Sequence, residues 1–298
     1  MNFIVLLALA TVIATYGVVT DSTASVIGAM IIAPLMTPIM ASAAAVILGS
    51  TIRLRQALRF VALGILGVIV LSILLTFFIP DPLISFPTNS QITSRVSPGL
   101  LDLMIALAAG AAGAYAIARQ EIADSLAGVA IAISLVPPLC VVGISLAKGQ
   151  WMDSGGAFLL FLTNFFAILL AGALVFRILG LEQLGFTDQS KAAKRTAIRL
   201  IVAGMLLITI LLAATTYNAY QVTYQQTGTA DAVEEWLGTT SFQTVGIKIG
   251  PSDVDITIRG DSEMPPLTNL YTKLNTLYGH PTKITLHVIP YKSQSYPS

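Results

Sequence analysis

Residues Asp21–Pro34 read DSTASVIGAMIIAP, and residues Asp124–Pro137 read DSLAGVAIAISLVP. Both stretches begin with an Asp-Ser pair and end on a proline, and a constant offset of 103 residues relates them without a gap. Eight of the 24 positions from 21 to 44 are identical in the second copy. In membrane proteins, duplicated and proline-interrupted apolar segments point to a transport site. The sequence therefore predicts an internally duplicated chain with one broken helix in each copy.

Composition predicts a membrane protein. Hydrophobic residues make up 55% of the 298 residues, charged residues make up 10%, and the mean hydropathy is +0.81, whereas an average soluble domain has roughly 25% charged residues. A helix needs roughly 17–25 apolar residues to span a bilayer. Segments that meet this length are Phe3–Val19, Ala24–Gly49, Ala57–Ile79, Leu100–Ala118, Leu126–Ala147, Ala157–Leu179 and Ala197–Tyr217. We therefore expect a multi-pass protein of the cell (inner) membrane with about seven spans.

The positions of Lys and Arg predict the orientation, because short basic loops stay in the cytoplasm. If every segment spans, one side of the membrane collects nine basic residues, namely Arg53, Arg55, Arg59, Arg119, Arg177, Lys191, Lys194, Arg195 and Arg199. The other side has two, Arg95 and Lys148. This split predicts a cytoplasmic N-terminus and an extracytoplasmic C-terminal domain. In the alternative, the proline-broken segments are re-entrant hairpins, five segments span, and the charge asymmetry disappears.

The predicted fold is an all-α polytopic membrane domain followed by a small α+β soluble domain. With three spans in each copy, the two repeats enter the membrane from opposite faces and are inverted. The membrane domain is expected at residues 1–217, with repeat one at 1–80, repeat two at 98–180 and the seventh span at 197–217. Residues 218–228, rich in Gln, Thr and Tyr, are predicted to be a linker. The apolar periodicities of residues 229–298 predict the element order αββαβ.

Each copy begins with residues that suit a helix N-terminus. They are Asp21, Ser22 and Thr23 in the first copy and Asp124 and Ser125 in the second. A side-chain oxygen there can accept from free backbone N–H groups, and a carboxylate favours the positive end of the helix dipole. Capping alone explains these residues. In the alternative, they line a polar cavity and bind a coupling cation or the substrate, because ionisable groups near apolar spans are costly.

Prolines interrupt both apolar segments at mid-membrane depth. They are Pro34 and Pro38 in the first copy and Pro137 and Pro138 in the second. A proline removes a backbone donor, and the carbonyl left free must find helices, hydroxyls, water or a bound ion. Both a broken, site-lining helix and a purely structural kink fit this pattern. The other candidate site residues are small or polar residues of the apolar segments: Gly28, Thr37, Ser134 and Asn164.

Several classes of function find no support in the sequence. The spans contain no nucleophile-and-base set and no paired catalytic carboxylates, so we do not expect an enzyme. His280 and His287 have no Cys or clustered carboxylates beside them, so neither a metal site nor a cofactor is expected. No basic footprint for nucleic acid is present. The expected partners are a small solute or ion and membrane lipid, and homo-oligomer formation stays open. Lipid contact is expected at a juxtamembrane basic cluster, Lys191, Lys194, Arg195 and Arg199.

One stretch resembles a known family. Residues 26–39, VIGAMIIAPLMTPI, preceded by Asp21-Ser22, closely resemble the signature of a bacterial and archaeal membrane family known only as an uncharacterised hydrophobic domain (domain of unknown function three-eight-nine). The second-copy sequence SLVPPL at residues 134–139 fits the same pattern. The resemblance covers roughly residues 1–179 and implies no catalytic or binding residue.

Two hypotheses follow for the function. In the first, the chain is a secondary transporter or ion-coupled carrier of a small solute or ion, with its site between the two broken helices. In the second, it is a membrane-anchored scaffold or sensor that acts through its C-terminal domain. The scaffold hypothesis predicts that the proline-broken segments pack without a polar cavity.

Overall fold

A computed structural model describes residues 2–119, 135–181, 191–238, 240–250, 253–261, 264–279, 281 and 283–290. In the helix that begins at residue 191, side chains are described from residue 195 onward. The chain divides into two compact units, Met1–Thr216 and Tyr217–Ser298. The first unit is helical, and the second contains the described β-strands.

The first half of the membrane unit contains the helices α1 (Asn2–Val19), α2 (Thr23–Ile32), α3 (Met36–Ile47) and α4 (Thr51–Phe77). Serines precede two of them: the Ser22 hydroxyl accepts from the backbone N–H of Ser25, and that of Ser50 from the N–H of Arg53. These serines satisfy backbone donors that lack a helical partner. Between α2 and α3 the chain bends by 47°.

Helices α1 and α4 run side by side in the same direction. Near their starts, the rings of Phe3 and Phe60 lie edge to face with centroids 6.0 Å apart. Further along, the Thr15 hydroxyl donates to the Ser72 hydroxyl over 3.3 Å. Both contacts join residues 57 positions apart, so the two helices are parallel. The α2–α3 pair connects the end of α1 to the start of α4.

The second half contains α5 (Ser90–Val96), α6 (Leu100–Ala118), α7 (Val136–Ala147), α8 (Trp151–Ile178) and α9 (Lys191–Leu237), and a 3₁₀ turn at Asp81–Leu83 precedes α5. Small residues let α6 and α8 approach closely. At Gly110 a Cβ would lie 2.9 Å from the Cα of Ile168, and Ala106 and Ala114 on the same helix are buried. This face is the small-residue packing surface expected of membrane helices.

Among the described residues, five helices are long and apolar enough to cross a membrane, and the bent α2–α3 pair is a sixth candidate. Seven spans were predicted from the sequence. The difference concerns Leu126–Ala147, of which the structure describes residues 135–147 and gives the 12-residue helix α7. At about 1.5 Å per residue, α7 is about 18 Å long, roughly half of the ~30 Å hydrocarbon core.

Residues 218–228 differ from the predicted linker. They lie inside the 47-residue helix α9, which runs through the boundary between the two units. The physical reason is that Gln, Thr and Tyr disfavour a helix only weakly. No proline or glycine interrupts the segment before Gly228.

The C-terminal unit is an α/β region with a three-stranded sheet. After the last turns of α9 come β1 (Gln243–Ile249), β2 (Asp253–Arg259), α10 (Leu267–Tyr278) and β3 (Lys283–Ile289). The strand order is β1-β2-β3, with β1 antiparallel and β3 parallel to β2. Alternate residues of β2 are buried in the same apolar cluster as Leu270 and Leu274 of α10. Gly279 ends α10 at φ 71°, a conformation that glycine adopts without strain.

Candidate functional site

The helix break in the first copy is centred on Pro34. Helix α2 ends at Ile32 and α3 begins at Met36. Proline has no N–H to continue the ladder of hydrogen bonds, so the two helices change direction here. The Thr37 N–H donates a hydrogen bond to the Pro34 carbonyl over 3.3 Å, and the Ser42 hydroxyl donates one to the Pro38 carbonyl over 2.8 Å.

The neighbouring helix α4 fixes the depth of this break. Leu35 Cδ2 lies 2.6 Å from the point where Gly64 would carry a Cβ. Gly64 is the central residue of the 27-residue helix α4, with 13 residues on either side. The break therefore lies opposite the middle of a full-length apolar helix. Glycine at position 64 is what allows the Leu35 side chain to approach so closely.

The second copy has a matching helix start. Pro137 and Pro138 occupy the first turn of α7, where a missing N–H costs no helical hydrogen bond. Helix α7 runs alongside α4: the Ser72 hydroxyl donates to the Cys140 carbonyl over 2.9 Å. Just beyond the C-terminal ends of α4 and α7, the Lys148 ammonium forms an ion pair with Asp81. Counting back from Lys148 over about 18 Å of helix places Val136 near the middle of α4.

A line of buried hydroxyls lies between α1, α4 and α7. Thr15 donates to Ser72, Ser72 donates to the Cys140 carbonyl, and the Thr76 hydroxyl donates to the Ser72 carbonyl over 2.7 Å. Together with Thr11, these hydroxyl-bearing residues have no solvent-exposed surface. Such hydrogen bonds join apolar helices and supply polar atoms inside the membrane. We name this set, Thr11, Thr15, Ser72 and Thr76, the hydroxyl cluster.

Asn164 lies at the same depth as the two helix starts. It occupies the centre of the 28-residue helix α8 and is buried, with 6% of its surface exposed. Further along α8, a Cβ at Gly172 would lie 3.2 Å from Met40 Sδ and 3.3 Å from Ala43 Cβ. Helix α8 therefore packs against α3 between the Pro34 break and the end of α3. Leu135 and Val136, at the start of α7, belong to the same buried cluster as Phe161 and Ile168 of α8.

Asp21 lies away from the break, in the turn between α1 and α2. Its carboxylate accepts a hydrogen bond from the Ser90 hydroxyl over 2.6 Å and from the Gln91 N–H over 3.0 Å. The Ser90 hydroxyl, and after it the Gln91 N–H, hold the pKa of Asp21 below its usual range. The residue is exposed and has a φ of 54°. Asp21 thus acts as a cap for α5 rather than for its own helix.

Two further contacts fasten α5 to the same turn. The Gln91 side chain donates to the Thr23 hydroxyl over 2.9 Å. Asn89 donates to the Val18 carbonyl at the end of α1 over 2.7 Å and accepts from the Ile92 N–H over 2.9 Å. One asparagine therefore caps the end of one helix and the start of another.

The structure divides the predicted site residues into two groups. The first group lies along α2–α3, α7 and α8, within about two turns of the level of Gly64, the middle of α4. It consists of Pro34, Thr37, Pro38, Pro137, Pro138 and Asn164. The second group, Asp21, Ser22 and Thr23, lies at the opposite end of α2. Gly28 lies within α2, and no other group of the described residues is within 4 Å of the point where a Cβ would be. Asp124, Ser125 and Ser134 lie outside the described residues.

Within the described ranges, no group of three or more His, Cys, Asp or Glu side chains could hold a metal ion. The sequence reasoning missed the hydroxyl cluster and the Asn89–Gln91 segment. A Ser or Thr inside a span was the available signal for the hydroxyls, but it does not reveal which helix the hydroxyl faces.

Residues 30–170 match the model of the family described as domain of unknown function (DUF389). Residues 30–170 of this chain are a DUF389 domain. The DUF389 domain covers the helix break at Pro34, α4 and the start of α7, and it ends within α8.

One relative shares most of this region. The uncharacterized protein MJ0678 of Methanocaldococcus jannaschii is 31% identical over 205 residues, which cover 69% of this chain and 62% of the relative. The chain thus spans less than two thirds of that relative's length. No solved structure matches the chain. The DUF389 match agrees with the resemblance of residues 26–39 to that family.

Proposed function

We propose that this DUF389 protein is a secondary transporter or ion-coupled carrier of a small solute or ion. Its site is the midplane region between the start of α3 and the start of α7. The observation that carries the proposal concerns two short helices that begin at prolines near the depth of the middle of α4, α3 just after Pro34 and α7 with Pro137 and Pro138 in its first turn. The two helices continue toward opposite ends of α4.

The directions of these two helices follow from their contacts with α4. Helix α3 runs from Leu35, beside Gly64, to a loop that leads directly into Thr51 at the start of α4. Helix α7 runs from the middle of α4 to Lys148, whose ammonium pairs with Asp81 just beyond the end of α4. Half-helices that meet at the midplane are the arrangement that transporters use to expose backbone groups to a substrate.

The same contacts support full crossing of the membrane by the first broken segment. Helices α1 and α4 are parallel, and the α2–α3 pair begins where α1 ends and finishes where α4 begins. A re-entrant hairpin would instead return α3 to the end of α1. Full crossing, in turn, supports the cytoplasmic assignment of the start of α4, which rests on its basic residues Arg53, Arg55 and Arg59.

These helix directions support the proposed inverted repeat. In the first copy α1 and α4 run one way, and α2–α3 runs back. In the second copy α8 runs opposite to α7, and α6 is parallel to α8, since Gly110 meets Ile168 and Ala114 lies near Gly172. Because α7 is parallel to α4, the flanking helices α6 and α8 run opposite to α1 and α4. This is the relation expected of two copies that enter the membrane from opposite faces.

The polar groups near the proposed site are hydroxyls, an amide and backbone groups rather than charges. Asn164 and the backbone of the Pro34 break supply oxygen atoms at this depth, and the hydroxyl cluster adds others along α4, about 12 Å from Gly64 at Ser72 and about 18 Å at Thr76. Backbone groups that proline leaves without a helical partner need another one at this depth. A bound ion or small polar solute would provide it when the site is occupied.

Flux into liposomes tests this proposal. The full-length chain is reconstituted and assayed with a panel of small ions and polar solutes. Ser72→Ala and Asn164→Leu are expected to lower the flux at least tenfold. Thr209→Ala is the matched control, because the Thr209 hydroxyl bonds only within its own helix α9, to the Met205 carbonyl. The control is expected to retain the flux of the parent chain.

Asp21→Asn separates the two groups of predicted site residues. Because Asp21 caps α5 at the far end of α2, this variant is expected to keep most of the flux. Loss of flux in Asp21→Asn with normal flux in Ser72→Ala and Asn164→Leu would move the site to the α1–α2 turn. Equal flux in all variants and in liposomes without protein would refute the transport proposal.

A further inference from the structure

A groove of about 580 Å³ runs along the outside of α3, bounded by α1 and α4. Its floor consists of small side chains: Ala41, Ala44 and Ala45 of α3 and Ala57 of α4. These alanines leave a smooth channel where larger residues would fill the space. Phe3 and Phe60, in edge-to-face contact, also line the groove at the depth of the third turn of α4.

Polar residues occur mainly at one end of the groove. Arg53 and Gln56 line it in the first two turns of α4, next to Leu48 at the end of α3. At the other end, Thr37 and Pro38 lie beside the helix break. From Leu48 back to Thr37 the groove follows 11 residues of helix, about 16 Å. It therefore begins near the end of a span and extends toward the middle of the membrane.

The described residues at the mouth of the groove carry positive charge. Residues 22–80 contain Arg53, Arg55 and Arg59 but no Asp or Glu. Within the described part of the chain, no carboxylate forms an ion pair with any of these three arginines, and all three are exposed. Exposed guanidinium groups at the membrane surface attract an anion.

We propose that this groove binds one acyl chain of an anionic phospholipid, whose phosphate contacts Arg53 and is attracted by Arg55 and Arg59. Three observations carry this assignment: an apolar channel of alanines, a depth that matches the acyl region, and positive charge confined to the headgroup end. A volume of this size lies within the usual range for bound small molecules, roughly 300–1,000 Å³. The proposal does not rest on transport: the groove follows α3 toward Leu48, and its inner end, at Thr37 and Pro38, lies beside the proposed midplane site.

Lipid titration followed by native mass spectrometry tests the assignment. The purified full-length chain is titrated in detergent with phosphatidylglycerol and with phosphatidylcholine of identical acyl chains. Phosphatidylglycerol is expected to bind at least fivefold more tightly. Arg53→Gln should weaken its binding about fivefold, the effect of about 1 kcal/mol per charge at the membrane surface, and leave phosphatidylcholine binding unchanged. Arg119→Gln removes another exposed arginine from a helix end and should change neither affinity.

A second pair of variants tests the channel itself. Ala41→Trp fills the groove and should abolish the tight binding of phosphatidylglycerol. Ala62→Trp places the same side chain on an exposed face of α4 outside the groove and should leave binding intact. Equal affinity for both lipids would overturn the proposal, and so would identical effects within either pair of variants. If Ala41→Trp does not fold, the exposed Arg53→Gln variant still decides the question.

Discussion

At Gly156 the backbone of α8 meets the end of α5 almost without space. A Cβ at this position would lie 1.7 Å from the Val96 carbonyl oxygen, so only glycine fits. At the adjacent Gly155, on the same helix, no other group of the described residues lies within 4 Å of the point where a Cβ would be. Two neighbouring glycines therefore have opposite roles: one allows a helix contact, and the other is free to vary.

We predict that Gly156→Ala destabilises the membrane unit by about 1–3 kcal/mol, the usual cost of overpacking. Gly155→Ala should leave stability unchanged or raise it by up to about 1 kcal/mol, because alanine favours a helix. Thermal unfolding in detergent measures both variants. Equal shifts of Tm in the two variants would contradict the close contact between α8 and α5.

Asp21 offers a prediction about pH. Its pKa is held below the ordinary value of 3.8 chiefly by the Ser90 hydroxyl. A carboxyl whose pKa is lowered by folding stabilises the fold above its ordinary pKa, and this contribution is lost as the pH falls through the folded value. Asn tolerates the same positive φ, so Asp21→Asn removes the charge without a new backbone strain.

We therefore expect Asp21→Asn to have a lower Tm than the parent chain at pH 7. The difference should shrink as the pH falls below 3.8, where the parent carboxyl also becomes neutral. Tm measured by intrinsic fluorescence across this range provides the test. A difference that stays constant down to the most acidic pH at which the parent chain folds would show that the carboxylate charge plays no part.

Among the helices, the bend between α2 and α3 depends on a single residue. Pro34 removes the N–H that would continue the helix, whereas Pro38 lies in the first turn of α3, where proline is tolerated. Pro34→Ala is predicted to straighten the 47° bend and to reduce flux, while Pro38→Ala should preserve both. Spin labels on α2 and α3 measure the bend. An unchanged label distance in Pro34→Ala would show that tertiary packing, rather than proline, sets the angle.

Sequence patterns predicted those features that depend on nearby residues. Pro34 marks the helix break through its missing N–H, and Ser22 caps α2 through its side-chain hydroxyl. The binding of α5 to the α1–α2 turn could not be predicted in this way. Asn89, Ser90 and Gln91 contact residues about 70 positions earlier, and no local periodicity reports such a contact. Asp21 was therefore assigned to a cap or an ion site of its own copy.

The same reasoning applies to the predicted linker. Polar composition at residues 218–228 predicted a linker, but composition cannot reveal that a helix started in the membrane continues. The helix contributes to the second unit, since Ala232, Val233 and Trp236 are buried in the core of the C-terminal sheet. The last turns of α9 therefore belong to the core of the C-terminal domain, which the linker was expected to precede.

At the scale of the whole molecule, Trp236 tests this shared helix. Its indole N–H donates to the Pro266 carbonyl over 3.0 Å, and its side chain is buried in the C-terminal core. Trp236→Ala is expected to destabilise the C-terminal unit by about 3–5 kcal/mol. Trp151→Ala is the control, because that side chain is exposed. Hydrogen exchange of the β2 amides in the full chain measures the effect, and equal protection in both variants would contradict it.

In the proposed transporter, α3 and α7 leave the midplane toward opposite faces of the membrane. Thr51→Cys and Gln150→Cys place an exposed thiol just beyond each helix, and the native Cys140 is buried. A membrane-impermeant maleimide is applied to intact cells and then to permeabilised cells. If α3 and α7 run to opposite faces, we expect labelling of Gln150→Cys in intact cells and of Thr51→Cys only after permeabilisation. Labelling of both thiols from the same side would contradict it, because the broken segments would then be re-entrant.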